Sequence, residues 1–244
     1  MQRVLVTGGT GFLGSSLVKR VLNNQEVEYV VVPTTNIKSK TSIDLMGIKS
    51  DRLNLIGGDV RDYDFVVSSS DKAYGRCELP YSEEDPLDGK GIYEVSKSCQ
   101  DLVARSYFYN YDMPVAVTRC SNLYGGADVN FSRIIPNTIR SVINNKSPLI
   151  YTGAEHFIRE FLYVDDAVDA YLSIADSIDT TKGNAYNIGS GEKITIGKLV
   201  EKILDKMPTD VKIEYRDRTF PEINNQYLDS SKIKKDTGWE AKVG

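Results

Sequence analysis

The stretch Thr7-Gly8-Gly9-Thr10-Gly11-Phe12-Leu13-Gly14 constrains the fold more than any other part of the chain. It follows an apolar run, Arg3–Thr7, and opens a segment, Ser15–Leu22, in which Leu17, Val18, Val21 and Leu22 share one helical face. A strand, a glycine turn and a helix in that order form a phosphate cradle. Gly8 permits the tight turn, Gly11 lets the backbone approach a pyrophosphate, and Gly14 lets helix and strand pack closely. The first N–H groups of the helix have no internal partner and face the anion. In this setting the spacing predicts a dinucleotide site made by Gly8, Gly11, Phe12, Leu13 and Gly14.

The alternation continues beyond the turn. Glu28–Val32, Leu53–Gly57, Phe65–Ser70 and Val115–Arg119 read as buried strands, and Tyr93–Tyr109 reads as a helix. Strands separated by helices imply a doubly wound parallel sheet. Later helices are expected over Arg133–Asn144, Asp165–Ala175, Ile196–Met207 and Asp229–Thr237, the last with Asp229 as N-cap and Gly238 at its end. A strand is expected over Val211–Tyr215. One junction conflicts with a simple sheet: only Val60–Asp64 separate the third strand from the fourth. Parallel neighbours need a crossover of about a dozen residues. Either the two strands are not partners, or the natural polypeptide carries further residues between Asp62 and Val66. The chain also stops soon after Trp239 without a closing helix, so extra residues are expected there as well.

Bulk properties narrow the class. The net charge is −4 with a sequence pI near 5.2, which argues against nucleic acid or an anionic membrane as partner. No apolar run is long enough to span a bilayer, and the N-terminus enters a strand at once, so no leader is expected. Cys77, Cys99 and Cys120 are odd in number and widely spaced, which fits a reduced, cytoplasmic setting. The single histidine, His156, has no nucleophile elbow to serve, and no cluster has metal-ligand spacing, so neither a Ser-His-Asp hydrolase nor a metal site is expected.

Two further motifs carry chemistry. In Tyr93-Glu94-Val95-Ser96-Lys97 the tyrosine and lysine lie four apart and share a helical face. A nearby ammonium and an oxidised nicotinamide both favour phenolate, which would lower the tyrosine toward working pH and make it a base for a sugar hydroxyl. Ser68-Ser69-Ser70-Asp71-Lys72-Ala73-Tyr74-Gly75 leaves the end of a strand, where open α/β sheets hold their ligands. Ser70 can donate to a reacting oxygen, and Asp71 and Lys72 form an acid–base pair. Asp59, after the third strand, is placed to meet the adenine amino group. The second strand ends in Val32-Pro33-Thr34-Thr35-Asn36 without the usual ribose carboxylate, and Lys38 and Lys40 follow, leaving NAD and NADP both open.

Together these residues resemble the extended short-chain dehydrogenase/reductase family, within its NAD(P)-dependent nucleotide-sugar epimerase/dehydratase branch. Arg119-Cys120-Ser121-Asn122-Leu123-Tyr124-Gly125, Arg159-Glu160-Phe161-Leu162-Tyr163-Val164-Asp165-Asp166, Tyr186-Asn187-Ile188-Gly189 and Gln226-Tyr227-Leu228-Asp229 match as well. The resemblance implies a Rossmann-type domain over 1–121 and about 160–190, with a smaller nucleotide-sugar domain over 122–159 and about 191–244. It implies NAD as cofactor, a nucleotide-diphosphate sugar as substrate and a homodimer. Ser70, Asp71, Lys72, Tyr93 and Lys97 would be catalytic, with Tyr93 and Lys97 also touching the cofactor. Asn122, Arg133, Arg159 and Arg218 would meet the substrate. Asp71-Lys72 after the serine is similar to CDP-glucose 4,6-dehydratases, whereas simple 4-epimerases lack such a pair. A 4,6-dehydratase is therefore expected, with an epimerase or reductase, or a non-catalytic binding module, as alternatives.

Overall fold

The computed structural model describes residues 2–6, 8–32, 42–54, 64–217 and 223–243. β1 (Gln2–Leu5) leads through the glycine turn into α1 (Phe12–Asn23), which returns to β2 (Val27–Val31). β2 pairs in parallel with β1 on one side and with β3 (Leu53–Asn54) on the other. Val18, Val21 and Leu22 of α1 bury against Val27, Val30 and Val32, closing this half-sheet from one face. Full burial of one such side chain contributes roughly 1.5–3 kcal/mol. Arg52 reaches over this half and donates to the carbonyls of Val27 at 2.8 Å and of Leu22.

A second half-sheet follows. β4 (Phe65–Ser68) pairs in parallel with β5 (Val115–Cys120), and β5 with β9 (Ala185–Ile188). Helix α3 (Ile92–Tyr111) crosses from β4 to β5. Glu94 starts it by accepting from the Gly91 and Lys90 amides at 2.9 and 2.8 Å, and Asp112 ends it in a left-handed conformation, φ 53°. All six residues of β5 are buried. That burial takes in Arg119, which survives inside because Asp101 of α3 accepts two of its N–H groups, at 2.7 and 3.0 Å. Helix α5 (Val164–Asp176) lies over both halves, touching α1 and β4. Its Ala167, Ala170, Tyr171 and Ile174 join Trp239 and Ile233 in the main core.

The short junction lies across this split. β3 and β4 are not partners: they belong to different half-sheets. Among the described residues β1 pairs only with β2, and β4 only with β5. An apolar slot of about 310 Å³ lies between these two free edges, lined by Val4 and Val6 on one side and Val66 and Ser68 on the other.

A third layer holds β6 (Asn122–Tyr124), α4 (Ile134–Ile143), β7 (Leu149–Tyr151) and β8 (Ile158–Tyr163). β8 pairs in parallel with β6 and with β12 (Asn225–Gln226), and antiparallel with β10 (Lys193–Thr195). Helix α7 (Ile196–Asp205) follows β10, its Thr195 cap accepting from the Lys198 amide at 3.3 Å. Two expectations shift. The strand anticipated at Val211–Tyr215 is instead β11 (Glu214–Arg216), because register with β7 places Glu214 opposite Leu149. The last helix, α8 (Ser231–Thr237), starts after Ser230 rather than Asp229, whose carboxylate accepts from the Ser231 amide inside a turn. Gly238 closes it with φ 76°, as anticipated.

Candidate active site

Gly11 caps α1, and its carbonyl accepts from the Ser15 amide at 2.9 Å. A Cβ on Gly14 would stand 2.2 Å from the Gly8 oxygen, so helix and turn are in the contact that the spacing predicts. Gly8, Gly11, Phe12, Leu13 and Gly14 all line the mouth of the slot between the half-sheets. The bare backbone there suits a pyrophosphate. Asp59 lies outside the described residues, as do Thr34, Thr35, Asn36, Lys38 and Lys40.

The end of β4 carries the second group. Ser70 precedes a single 3₁₀ turn, Asp71–Tyr74. Its hydroxyl accepts from the Lys72 amide at 3.2 Å and donates to the Asp71 carboxylate at 3.1 Å. Asp71 is only 2% exposed, and its second carboxylate oxygen is buried without a partner among the described residues. Burial pushes the Asp71 carboxyl above its ordinary value, against the opposing pull of the Lys72 and Arg159 charges. The group is thereby held toward its neutral, proton-bearing form.

Tyr93 and Lys97 stand on α3 across from this turn. Lys97 Nζ donates to the Ser68 carbonyl at 3.0 Å and to Gln100 at 2.9 Å, and lies 6.0 Å from the centre of the Tyr93 ring. The pair is brought together as expected, but its electrostatics differ. Burial pushes the Tyr93 phenol up rather than down; a hydrogen bond with Ser70 opposes the shift and the Asp71 charge adds to it. Desolvation pulls Lys97 itself down. A lowered tyrosine therefore needs a further positive charge in the site.

Ser70, Asp71, Lys72, Tyr93, Lys97, Asn122, Arg133 and Arg159 line one cleft of about 710 Å³. Eight residues from five separate elements thus converge. Asn122 Nδ2 is engaged with the Glu160 carbonyl at 3.1 Å. Arg133 pairs with Asp128 at 3.0 Å and stacks over Phe12 at 5.8 Å, linking the cleft to the glycine turn. Arg159 is 6% exposed and donates to the carbonyls of Ile223 and Asn224 at 2.6 and 2.8 Å. Arg218 lies outside the described residues. His156 projects into solvent beside Glu155, with 83% of its side chain exposed.

Three neighbours lie in stretches that carry the resemblance but are given no role by the sequence. Ser121 lines the cleft with a buried hydroxyl that has no partner among the described residues. Glu160 accepts from the Gly191 and Leu228 amides at 2.7 and 3.0 Å, tying the loops behind β8 together. Gln226, 1% exposed, accepts from Lys72 Nζ at 3.2 Å.

The model of the GDP-mannose 4,6 dehydratase family matches residues 63–244. The chain belongs to this family. The model of the 3-beta hydroxysteroid dehydrogenase/isomerase family matches residues 5–75, the stretch that holds the glycine turn. A dTDP-glucose 4,6-dehydratase of Streptomyces griseus is 31% identical over 73% of this chain and 54% of its own length. The fold of dTDP-glucose 4,6-dehydratase DesIV from Streptomyces venezuelae, solved with NAD, covers 100% of this chain and 93% of its own at a TM-score of 0.86–0.87 and 23% identity. UDP-glucuronic acid 4-epimerase from Bacillus cereus, also solved with NAD, covers 100% and 95% at a TM-score of 0.86 and 19% identity. One architecture thus serves both reactions, and the family resemblance read from the sequence holds. Among the described residues no helix is long and apolar enough to cross a membrane.

Proposed function

We propose that this protein is a nucleotide-sugar 4,6-dehydratase that uses NAD and releases a 4-keto-6-deoxy sugar. The observation that carries the reading is Asp71: a buried carboxyl that desolvation pushes above its ordinary value, next to Lys72, in the same cleft as the Tyr93–Lys97 pair. Gly8, Gly11, Phe12, Leu13 and Gly14 would hold the cofactor, with Tyr93 and Lys97 at its reactive end. When bound, NAD supplies the hydride acceptor for C4 and the positive charge that favours the Tyr93 phenolate. Tyr93 then takes the C4 hydroxyl proton while Ser70 steadies the oxygen. Water loss needs a base at C5 and an acid at the C6 oxygen. Asp71 and Lys72 carry these two transfers between them, one taking the C5 proton and the other giving a proton to the departing oxygen; the hydride then returns to C6 and a proton to C5, which gives the 4-keto-6-deoxy sugar and restores the oxidised cofactor. Arg159 and Arg133 face the diphosphate as planar or paired cations. Epimerisation at C4 requires neither Asp71 nor Lys72.

In this reading the two half-sheets carry the cofactor and the third layer carries the sugar nucleotide, along the division 1–121 with about 160–190 against 122–159 with about 191–244. Two copies pair through α3, whose Ile92, Val95, Leu102, Val103 and Tyr107 are exposed. A contiguous apolar helical face of this kind favours association. Sedimentation should show a dimer that Leu102→Glu dissociates; a wild-type monomer at all concentrations sinks the pairing.

The decisive assay is incubation with dTDP-, CDP- and UDP-glucose and GDP-mannose in deuterated water, followed by mass analysis. The expected product is lighter by one water and carries a solvent deuteron at C5. Tyr93→Phe should slow it by about 10²–10⁴. Unchanged mass with inverted C4 would establish an epimerase instead, and cofactor binding without turnover of any substrate a binding module.

A further inference from the structure

Lys72 carries a compact charge on a flexible four-carbon stem, so its position needs an anchor. The anchor comes from a distant part of the chain. β12 runs beside β8, with Gln226 in register with Arg159. Just before it, the Ile223 and Asn224 carbonyls hold the Arg159 guanidinium. The Gln226 amide oxygen meets the Lys72 ammonium at 3.2 Å, while its nitrogen is buried with no partner among the described residues. The orientation is dictated by charge, because the amide NH₂ cannot face an ammonium. An unpartnered buried amide does not help folding; a leucine would fill the same space without it.

We infer that Gln226 is a positioning residue for Lys72, and that the strap 223–226 sets the Lys72 ammonium and the Arg159 guanidinium relative to each other. The inference rests on the dehydratase reading for its catalytic meaning, but not for its geometry. With the diphosphate gripped at Arg159, the strap places the Lys72 amine at a set distance along the same sugar nucleotide. Substrate grip and proton transfer are thereby coupled through one short strand.

The test uses Gln226→Leu, which removes the acceptor, and Gln226→Glu, which retains one. The first readout needs no turnover: limited acetylation with acetic anhydride, with Lys72 followed by mass spectrometry. Lys72 labelling should rise several-fold in Gln226→Leu and stay near wild type in Gln226→Glu. The second readout is kinetic. In Gln226→Leu the kcat for water loss should fall by about 10–100-fold, within the range for lost acid–base assistance, with KM for the nucleotide sugar little changed and activity recovered in Gln226→Glu. Unchanged labelling in Gln226→Leu overturns the positioning role. A raised KM at constant kcat also overturns it, and assigns Gln226 to the Arg159 side alone. If the wild type loses no water from any substrate, the dehydratase reading fails while labelling still decides the geometry. Should Gln226→Leu not fold, Gln226→Met carries both measurements.

Discussion

Replacing Gly14 by alanine tests the glycine turn at its tightest point. The added Cβ would meet the Gly8 oxygen at 2.2 Å and the Gly8 carbonyl carbon and Gly9 Cα at 2.7 Å. All three are backbone atoms, so no side-chain rotation relieves the clash. Carbon contacts are comfortable at about 3.5 Å, so α1 and the turn must part by roughly 1 Å. Overpacking of that kind costs about 1–3 kcal/mol. For a chain of this size the loss lowers Tm by about 2–12 °C. In the proposed reading the cofactor phosphates dock at this turn, and the same strain should weaken NAD by about 5–150-fold if binding requires the undistorted turn. Gly11 is the control. Its Cβ would meet only the Gly8 oxygen, at 3.3 Å, so Gly11→Ala should change Tm little. Gly11→Val keeps the fold and fills the phosphate's place. Thermal unfolding and calorimetric titration with NAD, run on all three variants, separate the two effects. A Gly14→Ala protein with wild-type Tm and wild-type NAD affinity would refute the account of the turn.

Two other outcomes follow from buried charge. A carboxyl raised in the folded state contributes most below its ordinary value of 3.8 and loses that contribution as pH rises through the raised value. Asp71→Asn should therefore gain stability relative to wild type as pH climbs from about 4 and then level off, while water loss falls by about 10²–10⁴; urea unfolding between acidic and neutral pH checks the first, and a pH-independent difference would contradict the burial of a neutral acid. Arg119→Met leaves Asp101 charged and 0% exposed, a loss of about 3–5 kcal/mol, which Asp101→Asn in the same chain should partly restore; urea titration of single and double variants measures it, and additive losses would dissolve the pair.

The sequence by itself determined what depends on local chemistry. The strand–turn–helix with glycines at 8, 11 and 14 sets its own backbone geometry, so its place in the fold was legible without tertiary information. The same holds for Tyr93 and Lys97, four apart on one helix, and for Ser70–Lys72, which terminate a strand. Tertiary structure decided everything set by packing between distant segments. The split into two half-sheets arises from which edges find partners, whereas the short junction left two readings open, strands that do not pair or a longer polypeptide. The Tyr93 phenol rises because burial and the Asp71 charge act on it together, whereas spacing along a helix reports only the lysine. Gln226 meets Lys72 across 154 residues of chain, a contact that exists only because β12 docks on β8. The resemblance reads Arg159 as a substrate contact, but the Ile223 and Asn224 carbonyls that engage it in the cleft are brought up only by that same docking.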